Sequence, residues 1–546
     1  MEFIPSIYQQ KIFDFILKGN GNAVINAKAG AGKTTTIVKA MELIKPNKNV
    51  LFIAFNRSIE EELSQKLKQY KNVDVKTFHS LGVSLAKKYI KRNNEMEVNE
   101  YKYSLYIDKN VNNFLFNEFK LDGNEIRKYK NNLRQLVDFA RFNLGQNLRD
   151  IKRISNKYEI ECVANECEIV PKILNWGIEN LDTIDFNDMI WVCVEKDFNV
   201  YKKYDYIFID EAQDSSIVQQ KLIDKLKNRG CKTIAIGDEF QCINAFAGAD
   251  YDAFLNFMKK SDVILDLPIS YRCPKEIVNE VQKKFPEIKI EYSNNAIEGK
   301  INYDVNPYSP QEGDIVLCRN GLQLVQLYMK YNKVNKKSYI KGRNLRYNLL
   351  SILNNIKMDE LSIDLKNDGV FPRLYQNLFK LINSEIEKTG IVYEDVIYNK
   401  EIIDIIDSIK ALEILSEGCV NKKCLLDKIN VIFINDDEEF NEKGNKEESG
   451  VCLSTIHKAK GLEYDNVYIL CPSLMPSRHA KKEWEIKSER NLEYVAMTRA
   501  KKTLNYISEK LFPTKMFETD NIIERLESIR KKINKTLNLN IEILKK

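Results

Sequence analysis

The sequence lacks the features that would place it in a membrane, in a secretory pathway or around a metal cluster. Its 546 residues contain no apolar run close to the ~18 residues of a membrane span. The first residues lack the basic and apolar regions of a secretory signal. Histidine occurs three times, and the eleven cysteines are odd in number and scattered. We interpret them as reduced thiols of a cytoplasmic protein that has no membrane partner.

Charge of one sign is not in large excess either. Lys and Arg number 84 and Asp and Glu 78, which gives a net charge of +6. This mildly basic balance permits a nucleic-acid partner without requiring one. The length allows several domains with a large buried core.

Short apolar runs that end in polar or glycine-containing turns recur along the chain. Such runs are typical of buried parallel strands, and helical patterns separate them. They predict an α/β fold with two parallel-sheet cores, each split by a mainly helical insertion. The main runs are Val50–Phe55, Tyr206–Asp210, Thr233–Asp238, Asp314–Arg319, Val451–Ile456 and Val467–Pro472.

The segment NAKAGAGKTTT, Asn26–Thr36, has the strand–glycine turn–helix context of a phosphate-binding loop. Gly30 and Gly32 allow close approach of the backbone, and successive N–H groups can bind phosphate oxygens. Lys33 is predicted to neutralise the β- and γ-phosphates of ATP, and Thr34 to bind Mg²⁺. The usual first glycine of the pattern is Ala27, which is compatible with the loop if its φ is negative.

A second motif, DYIFIDEAQD, is acidic and supplies the carboxylates that a phosphate loop needs. A strand that ends at Asp210 directs this side chain toward the Mg²⁺ ligand shell. Glu211 can then orient or deprotonate the attacking water.

Several further motifs follow in a fixed order: AFNRS, TFHSLG, GDEFQ, ISYRC, STIHKAKGLEYD and NLEYVAMTRAKK. With the phosphate loop and DEAQD, this series resembles the UvrD/Rep-like superfamily 1 DNA helicases from about residue 5 to 508. The resemblance implies two RecA-like domains, 1A and 2A, with helical insertions 1B and 2B. The implied boundaries are 1–84 and 201–275 for 1A, 85–200 for 1B, 276–345 and 450–510 for 2A, 346–449 for 2B, and 511–546 for a basic helical tail.

The resemblance also implies roles for individual residues at an ATP site. Gln9 resembles the adenine-reading glutamine, Tyr271 the adenine-stacking aromatic, and Glu463 the ribose-contacting glutamate. Gln241 resembles the γ-phosphate sensor, Arg272 a γ-phosphate arginine, and Arg499 the arginine finger. The predicted catalytic set is Lys33, Asp210, Glu211, Gln241, Arg272 and Arg499. The predicted ATP-binding set is Gln9, Ala29, Gly30, Ala31, Gly32, Lys33, Thr34, Thr35, Tyr271 and Glu463, and the predicted Mg²⁺ ligands are Thr34 and Asp210.

Aromatic and basic side chains within the motifs are the candidates for binding single-stranded DNA, because rings stack on bases and cations bind phosphates. Family position favours Arg57, Phe78, His79, Phe246, His457 and Lys460. In the third motif, Asn244 and Ala247 replace a tyrosine and an arginine of many family members, so Phe246 is expected to carry more of the stacking.

Three functions fit this sequence. The leading one is an ATP-dependent 3′→5′ helicase acting on single-stranded DNA and on junctions with duplex DNA. The second is a DNA-stimulated ATPase or translocase that strips proteins or serves a partner nuclease without processive unwinding. The third, a nucleotide-gated binding module, is disfavoured by the complete hydrolytic set. A protein partner would bind through 1B, 2B or the tail.

Overall fold

The chain forms two compact units, each built around one parallel β-sheet. Unit 1 comprises Met1–Tyr271 and Lys289–Ser293, and unit 2 comprises Arg272–Ile288 and Asn294–Lys546. The computed structural model describes residues 3–90, 97–115, 121, 123–243, 252–341, 343–354, 370–389, 393, 400–433, 449–477, 480, 483–512, 519–537 and 541–542. The predicted α/β class with two parallel-sheet cores is confirmed.

The main sheet of unit 1 has six strands in the order β3-β2-β6-β7-β1-β8, and all its pairs are parallel. Since β1 lies between β7 and β8, the segments that follow β1 and β7 meet at one edge of the sheet. The strands of this unit are β1 (Ala23–Ala27), β2 (Val50–Ala54), β3 (Val73–Thr77), β4 (Glu97–Val98), β5 (Thr183–Ile184), β6 (Tyr204–Ile209), β7 (Lys227–Gly237), β8 (Val263–Leu267), β9 (Ile269–Ser270) and β10 (Glu291–Tyr292).

Helices cover both faces of this sheet, and alternate strand residues enter two hydrophobic clusters. Leu51 and Ile53 of β2 pack on one face, and Val50 and Phe52 on the other. Burial on both faces explains why these strands are nearly continuous apolar runs. The helices are α1 (Ile7–Lys18), α2 (Lys33–Met41), α3 (Arg57–Lys66), α4 (Phe78–Ile90), α5 (Lys102–Phe114), α6 (Gly123–Asn143), α7 (Leu148–Lys157), α8 (Glu166–Glu179), α9 (Asp188–Glu195), α10 (Ile217–Leu226) and α11 (Ala253–Lys260).

The helices α5 to α9 enclose a cluster of charged side chains. Asp188, which is fully buried, accepts hydrogen bonds from Lys102 Nζ at 2.8 Å, from the Tyr103 hydroxyl at 2.7 Å and from Arg141 Nη1 at 3.0 Å. Arg141 also contacts both carboxylate oxygens of Asp185 at 2.7 Å. These bonds join α5 and α6 to the start of α9, so the helical segment is held by ion pairs as well as by apolar packing.

The sheet of unit 2 has the order β11-β16-β15-β12-β14-β13, again with parallel pairs throughout. Its strands are β11 (Lys300–Asn302), β12 (Ile315–Cys318), β13 (Ser338–Lys341), β14 (Val451–Thr455), β15 (Tyr464–Leu470) and β16 (Ala500–Ile507). Its helices are α12 (Lys275–Lys284), α13 (Gly321–Lys333), α14 (Arg343–Asn354), α15 (Val370–Thr389), α16 (Lys400–Leu415), α17 (Lys422–Ile432), α18 (Glu483–Met497) and α19 (Thr519–Leu537).

One hydrophobic core joins the sheet of unit 2 to the helices inserted after β13. Ile340 and Leu453 from the sheet share this core with Phe379 of α15, Leu412 of α16 and Ile429 of α17. The inserted helices therefore pack against the sheet of their own unit. Across the described helices of both units, none is long and apolar enough to span a bilayer.

Candidate nucleotide-binding site

The phosphate loop connects β1 to α2 at the carboxyl edge of the sheet. Ala27 is the last residue of β1, fully buried and with a negative φ, so alanine fits this position. Gly30 and Gly32 have φ values of 71° and 72°, in the left-handed region that favours glycine. Gly32 is also the N-cap of α2. Because glycine has no side chain to cap the helix, the first N–H groups of α2 remain suited to phosphate oxygens.

Lys33 begins α2 and contacts both carboxylates of the acidic motif. Its Nζ forms an ion pair with Glu211 and lies 4.0 Å from Asp210 Oδ1. Burial lowers the pKa of Lys33, but the Glu211 and Asp210 charges outweigh burial and leave the pKa above its usual value. The structure thus brings together three residues that the sequence predicts for ATP hydrolysis, with Lys33 positively charged.

Glu211 follows β6 in an unusual backbone conformation. Its φ of 48° and ψ of 44° are left-handed, which is uncommon for a residue with a side chain and is concentrated at functional sites. The Glu211 side chain accepts hydrogen bonds from Lys33 and from Gln213 Nε2. The turn therefore keeps the carboxylate at the phosphate loop, although a glycine would adopt this conformation at lower cost.

A chain of hydrogen bonds continues from Glu211 to Gln241. Gln213 Oε1 accepts from the Asp238 N–H at 3.2 Å, and Asp238 Oδ2 accepts from Gln241 Nε2 at 2.9 Å. Gln213, Asp238 and Gln241 are all buried. A Cβ on Gly237 would lie 2.2 Å from Gln213 Oε1, so this approach of β7 to the acidic motif requires glycine.

Gln9 and Tyr271 lie beside the phosphate loop in unit 1. Gln9 Oε1 accepts from the Ser6 N–H and caps α1, and Gln9 Nε2 donates to Thr36 Oγ1 at 2.9 Å. The Tyr271 N–H donates to the Gly30 carbonyl at 2.8 Å, and its ring is 51% exposed. Both side chains lie about 4 Å from the position of a Cβ on Gly32, at 3.9 and 3.6 Å. The exposed ring is suited to stacking on a base, whereas the Gln9 amide bonds to Ser6 and Thr36.

The donors near the loop fit Mg²⁺. The Asp210 carboxylate and the Thr34 hydroxyl are hard oxygen ligands, and Mg²⁺ usually takes one or two such groups together with water and substrate phosphates. Thr34 is half-buried in the first turn of α2 and Thr35 is exposed. Over the described part of the chain, no cluster of three His, Cys, Asp or Glu side chains forms an all-protein metal site.

In unit 2, Arg272, Glu463 and Arg499 form a second cluster. Arg272 Nε donates to Glu463 Oε2 at 3.0 Å, and Nη1 donates to the Thr498 carbonyl at 3.1 Å. Arg499 is buried and donates to the carbonyls of Val495 and Leu462 at 3.0 and 3.3 Å. Burial raises the pKa of Glu463, but the Arg272 charge outweighs it and the net pKa is below its usual value.

The predicted DNA-binding residues lie in different environments. Arg57 is exposed at the start of α3 and pairs with Glu61 at 2.8 Å. Phe78 is buried in a hydrophobic cluster, and its stacking on a base stays a prediction. His79 is exposed and makes an edge-to-face contact with Phe186, with ring centroids 6.2 Å apart.

His457 and Lys460 are half-buried in the turn that follows β14 in unit 2. Phe246, Asn244 and Ala247 lie outside the described residues, so the expectation for the third motif stays a prediction.

Two ion pairs at strand ends were missed by the sequence reasoning. Lys28, the residue after β1, lies 3.3 Å from Asp238, the residue after β7. Arg319 follows β12 and makes a bidentate pair with Glu489 of α18, with oxygens at 2.7 and 3.0 Å. Lys28, Asp238 and Arg319 each follow a strand, and Glu489 lies in α18. Which of these charges pair depends on how the elements are arranged in the fold, which a single sequence does not reveal.

Comparison with known proteins agrees with the geometry of both units. Residues 9–262 match the UvrD/REP helicase N-terminal domain model, and residues 450–507 match the UvrD-like helicase C-terminal domain model. Together the two segments span more than half of the chain. The protein belongs to the UvrD/Rep helicase family.

Individual relatives are similar over most of their length. The ATP-dependent DNA helicase Rep of Buchnera aphidicola subsp. Schizaphis graminum is 23% identical, over 89% of this chain and 90% of the relative. The ATP-dependent DNA helicase PcrA of Bacillus subtilis is also 23% identical, over 90% of this chain and 81% of the relative. PcrA of Staphylococcus aureus strain Mu50 is 23% identical, over 89% and 80% of the two chains.

Proposed function

We propose that the protein is an ATP-dependent DNA helicase that translocates 3′→5′ on single-stranded DNA. The observation that carries the proposal is the contact of Lys33 with Glu211 and Asp210 directly beside the phosphate loop. The family and the relatives named as ATP-dependent DNA helicases support it. The polarity is the one expected of this family.

The hydrolytic step follows from the chemistry of these side chains. Lys33 and the N–H groups of α2 bind the phosphates of ATP, and Glu211 orients the attacking water as a general base. On nucleotide binding, Lys33 exchanges its Glu211 contact for phosphate oxygens, which frees the carboxylate for the water. Mg²⁺ held by Asp210 and Thr34 would neutralise charge that develops on the phosphates.

Arg272 and Arg499 are the proposed cations for the charge of the transition state. They belong to unit 2, whereas Lys33 belongs to unit 1. We propose that ATP binding closes the two units on each other and that hydrolysis relaxes them, so that a strand bound by both advances stepwise. Segments 85–200 and 346–449 would act as the 1B and 2B subdomains.

The test measures ATP hydrolysis with and without single-stranded DNA, and unwinding of 3′- and 5′-tailed duplexes. We expect DNA to stimulate hydrolysis, and only the 3′-tailed duplex to be unwound. The Lys33→Ala variant should lose hydrolysis by about 10²-fold or more. Lys39→Ala is the matched control, because Lys39 lies on the same helix in an exposed pair with Glu42.

Each alternative gives a distinct result. Hydrolysis without stimulation by DNA contradicts the motor function, and unwinding from a 5′ tail alone contradicts the polarity. DNA-stimulated hydrolysis with displacement of bound protein but no unwinding would support the translocase alternative.

A further inference from the structure

A second lysine of the phosphate loop, Lys28, is buried. Only 3% of its surface is exposed. Its Nζ donates to Asn26 Oδ1 at 2.9 Å and contacts Asp238 Oδ1 at 3.3 Å. The same ammonium lies 4.6 Å from the centre of the Phe240 ring, a cation–π distance. Its positive charge is therefore directed at the segment that follows β7.

Asp238 is the point where this charge meets the predicted γ-phosphate sensor. The residue is fully buried, and its Oδ1 accepts from the Phe240 N–H at 3.2 Å as the cap of a short 3₁₀ turn. Its Oδ2 accepts from Gln241 Nε2 at 2.9 Å, and its carbonyl accepts from the Gln241 N–H at 2.9 Å. The position of Gln241 thus depends on Asp238 through both side chain and backbone.

Burial of the Lys28 and Asp238 charges is unfavourable in itself, which indicates that the geometry this ion pair imposes has a role. Burying a lysine and an aspartate carries a desolvation cost that can exceed their attraction. Phosphate neutralisation by Lys33 does not need a second lysine in the loop. Strand register brings the pair together: Asn26 lies opposite Gly237, Asp238 directly follows Gly237, and Lys28 lies two residues after Asn26.

We propose that Lys28 is a positioning residue that fixes Gln241 through Asp238 and thereby couples the phosphate loop to the γ-phosphate sensor. This inference rests on the proposed ATPase function. When nucleotide binding moves the loop, Lys28 moves with it and transmits the change to Asp238, and from there to Gln241. Gln213, which accepts from the Asp238 N–H, links the same aspartate to Glu211.

The first test is Lys28→Met, which keeps the length of the side chain and removes its charge. We expect the kcat of DNA-stimulated ATP hydrolysis to fall about tenfold or more, as for a misplaced reacting group. The KM for ATP should stay within about threefold of wild type, because Lys28 does not bind phosphate in this arrangement. Lys48→Met is the matched control, since Lys48 lies 3.3 Å from Asp205 in an exposed pair at the other edge of the sheet.

The second test separates positioning from folding. Lys28→Met combined with Asp238→Asn removes both charges and keeps an oxygen that accepts from Gln241. We expect this double variant to be closer to wild type in kcat than Lys28→Met alone, and closer in thermal stability. It also serves as the assay protein if the single variant does not fold.

Three results would overturn the inference. A raised KM with unchanged kcat would make Lys28 a nucleotide ligand. Loss of stability with unchanged kcat would make the pair structural. A double variant as slow as Lys28→Met would show that Lys28 does not act through Asp238. Failure of the proposed function is distinguishable, because it would appear as absence of DNA-stimulated hydrolysis in the wild type.

Discussion

The left-handed backbone of Glu211 predicts that glycine is more stabilising than alanine at this position, which reverses the usual order of these two residues. At φ 48° any residue with a Cβ is strained, by about 1–2 kcal/mol, whereas glycine is not. Glycine costs about 0.5–1 kcal/mol more in backbone entropy on folding. Glu211→Gly should therefore be more stable than Glu211→Ala by about 1 kcal/mol, although both variants lose the carboxylate and with it ATP hydrolysis.

Urea unfolding followed by tryptophan fluorescence can measure this difference in unit 1. The chain has three tryptophans, of which Trp176 and Trp191 lie in unit 1. A Trp484→Phe background removes the third, so the fluorescence transition then reports on unit 1. The comparison of midpoints uses the same m-value for both variants, which is checked from the slopes.

Glu62 provides the control, because it lies within α3 and is 56% exposed. In a helix, alanine is favoured over glycine by about 1 kcal/mol, so Glu62→Ala should be more stable than Glu62→Gly. The difference in stability between the glycine and alanine variants must therefore have opposite signs at Glu211 and Glu62. If alanine is equal or superior at Glu211 as well, the backbone there is not strained and the reasoning is wrong.

Three other predictions concern burial and charge. Asp188→Ala should cost about 3–5 kcal/mol of unfolding free energy because it leaves the buried Lys102 ammonium without its carboxylate, whereas exposed Asp108→Ala should cost under about 1 kcal/mol in the same urea assay. Gly237→Ala should slow ATP hydrolysis about tenfold, because the added Cβ lies 2.2 Å from Gln213 Oε1; unchanged kinetics would contradict the close approach. Because the pKa of Glu463 is lowered in the folded state, its ionised carboxylate stabilises the fold above the usual carboxyl pKa of about 4.3. This stabilisation is lost as pH falls through the folded pKa. The difference in Tm between wild type and Glu463→Gln should thus be present near pH 7 and decrease as pH falls through the folded pKa; a constant difference would exclude the ion pair as its cause.

Local patterns were sufficient to predict several central strands of both sheets and the phosphate loop. Gly30, Gly32 and Lys33 lie together in the chain, and the strand that precedes Asp210 can be recognised from its apolar residues alone. The α/β class and the family were also predicted from such patterns and are confirmed. These features depend on neighbours in sequence, where periodicity and turn chemistry are informative.

Features that depend on strand order or on burial could not be predicted in the same way. Lys28 and Asp238 are 210 positions apart and meet only because β1 is next to β7. Arg141 and Asp188 look like solvated charges in the sequence, yet both are buried. Phe78 is aromatic and belongs to a hydrophobic cluster, and its burial could not be read from the motif in which it lies.

The contacts of Arg499 explain how residues of unit 2 alone can position its guanidinium for the phosphate of the proposed mechanism. Its guanidinium is bonded to the neutral carbonyls of Val495 and Leu462 and to the Thr498 hydroxyl. A charged phosphate oxygen forms a stronger hydrogen bond with a guanidinium than a carbonyl does. Exchange of one carbonyl for a phosphate is therefore favourable, while the remaining bonds hold the side chain in place. In the proposed mechanism, ATP supplies part of the free energy of closure through this exchange, and loss of the γ-phosphate returns Arg499 to its carbonyl partners.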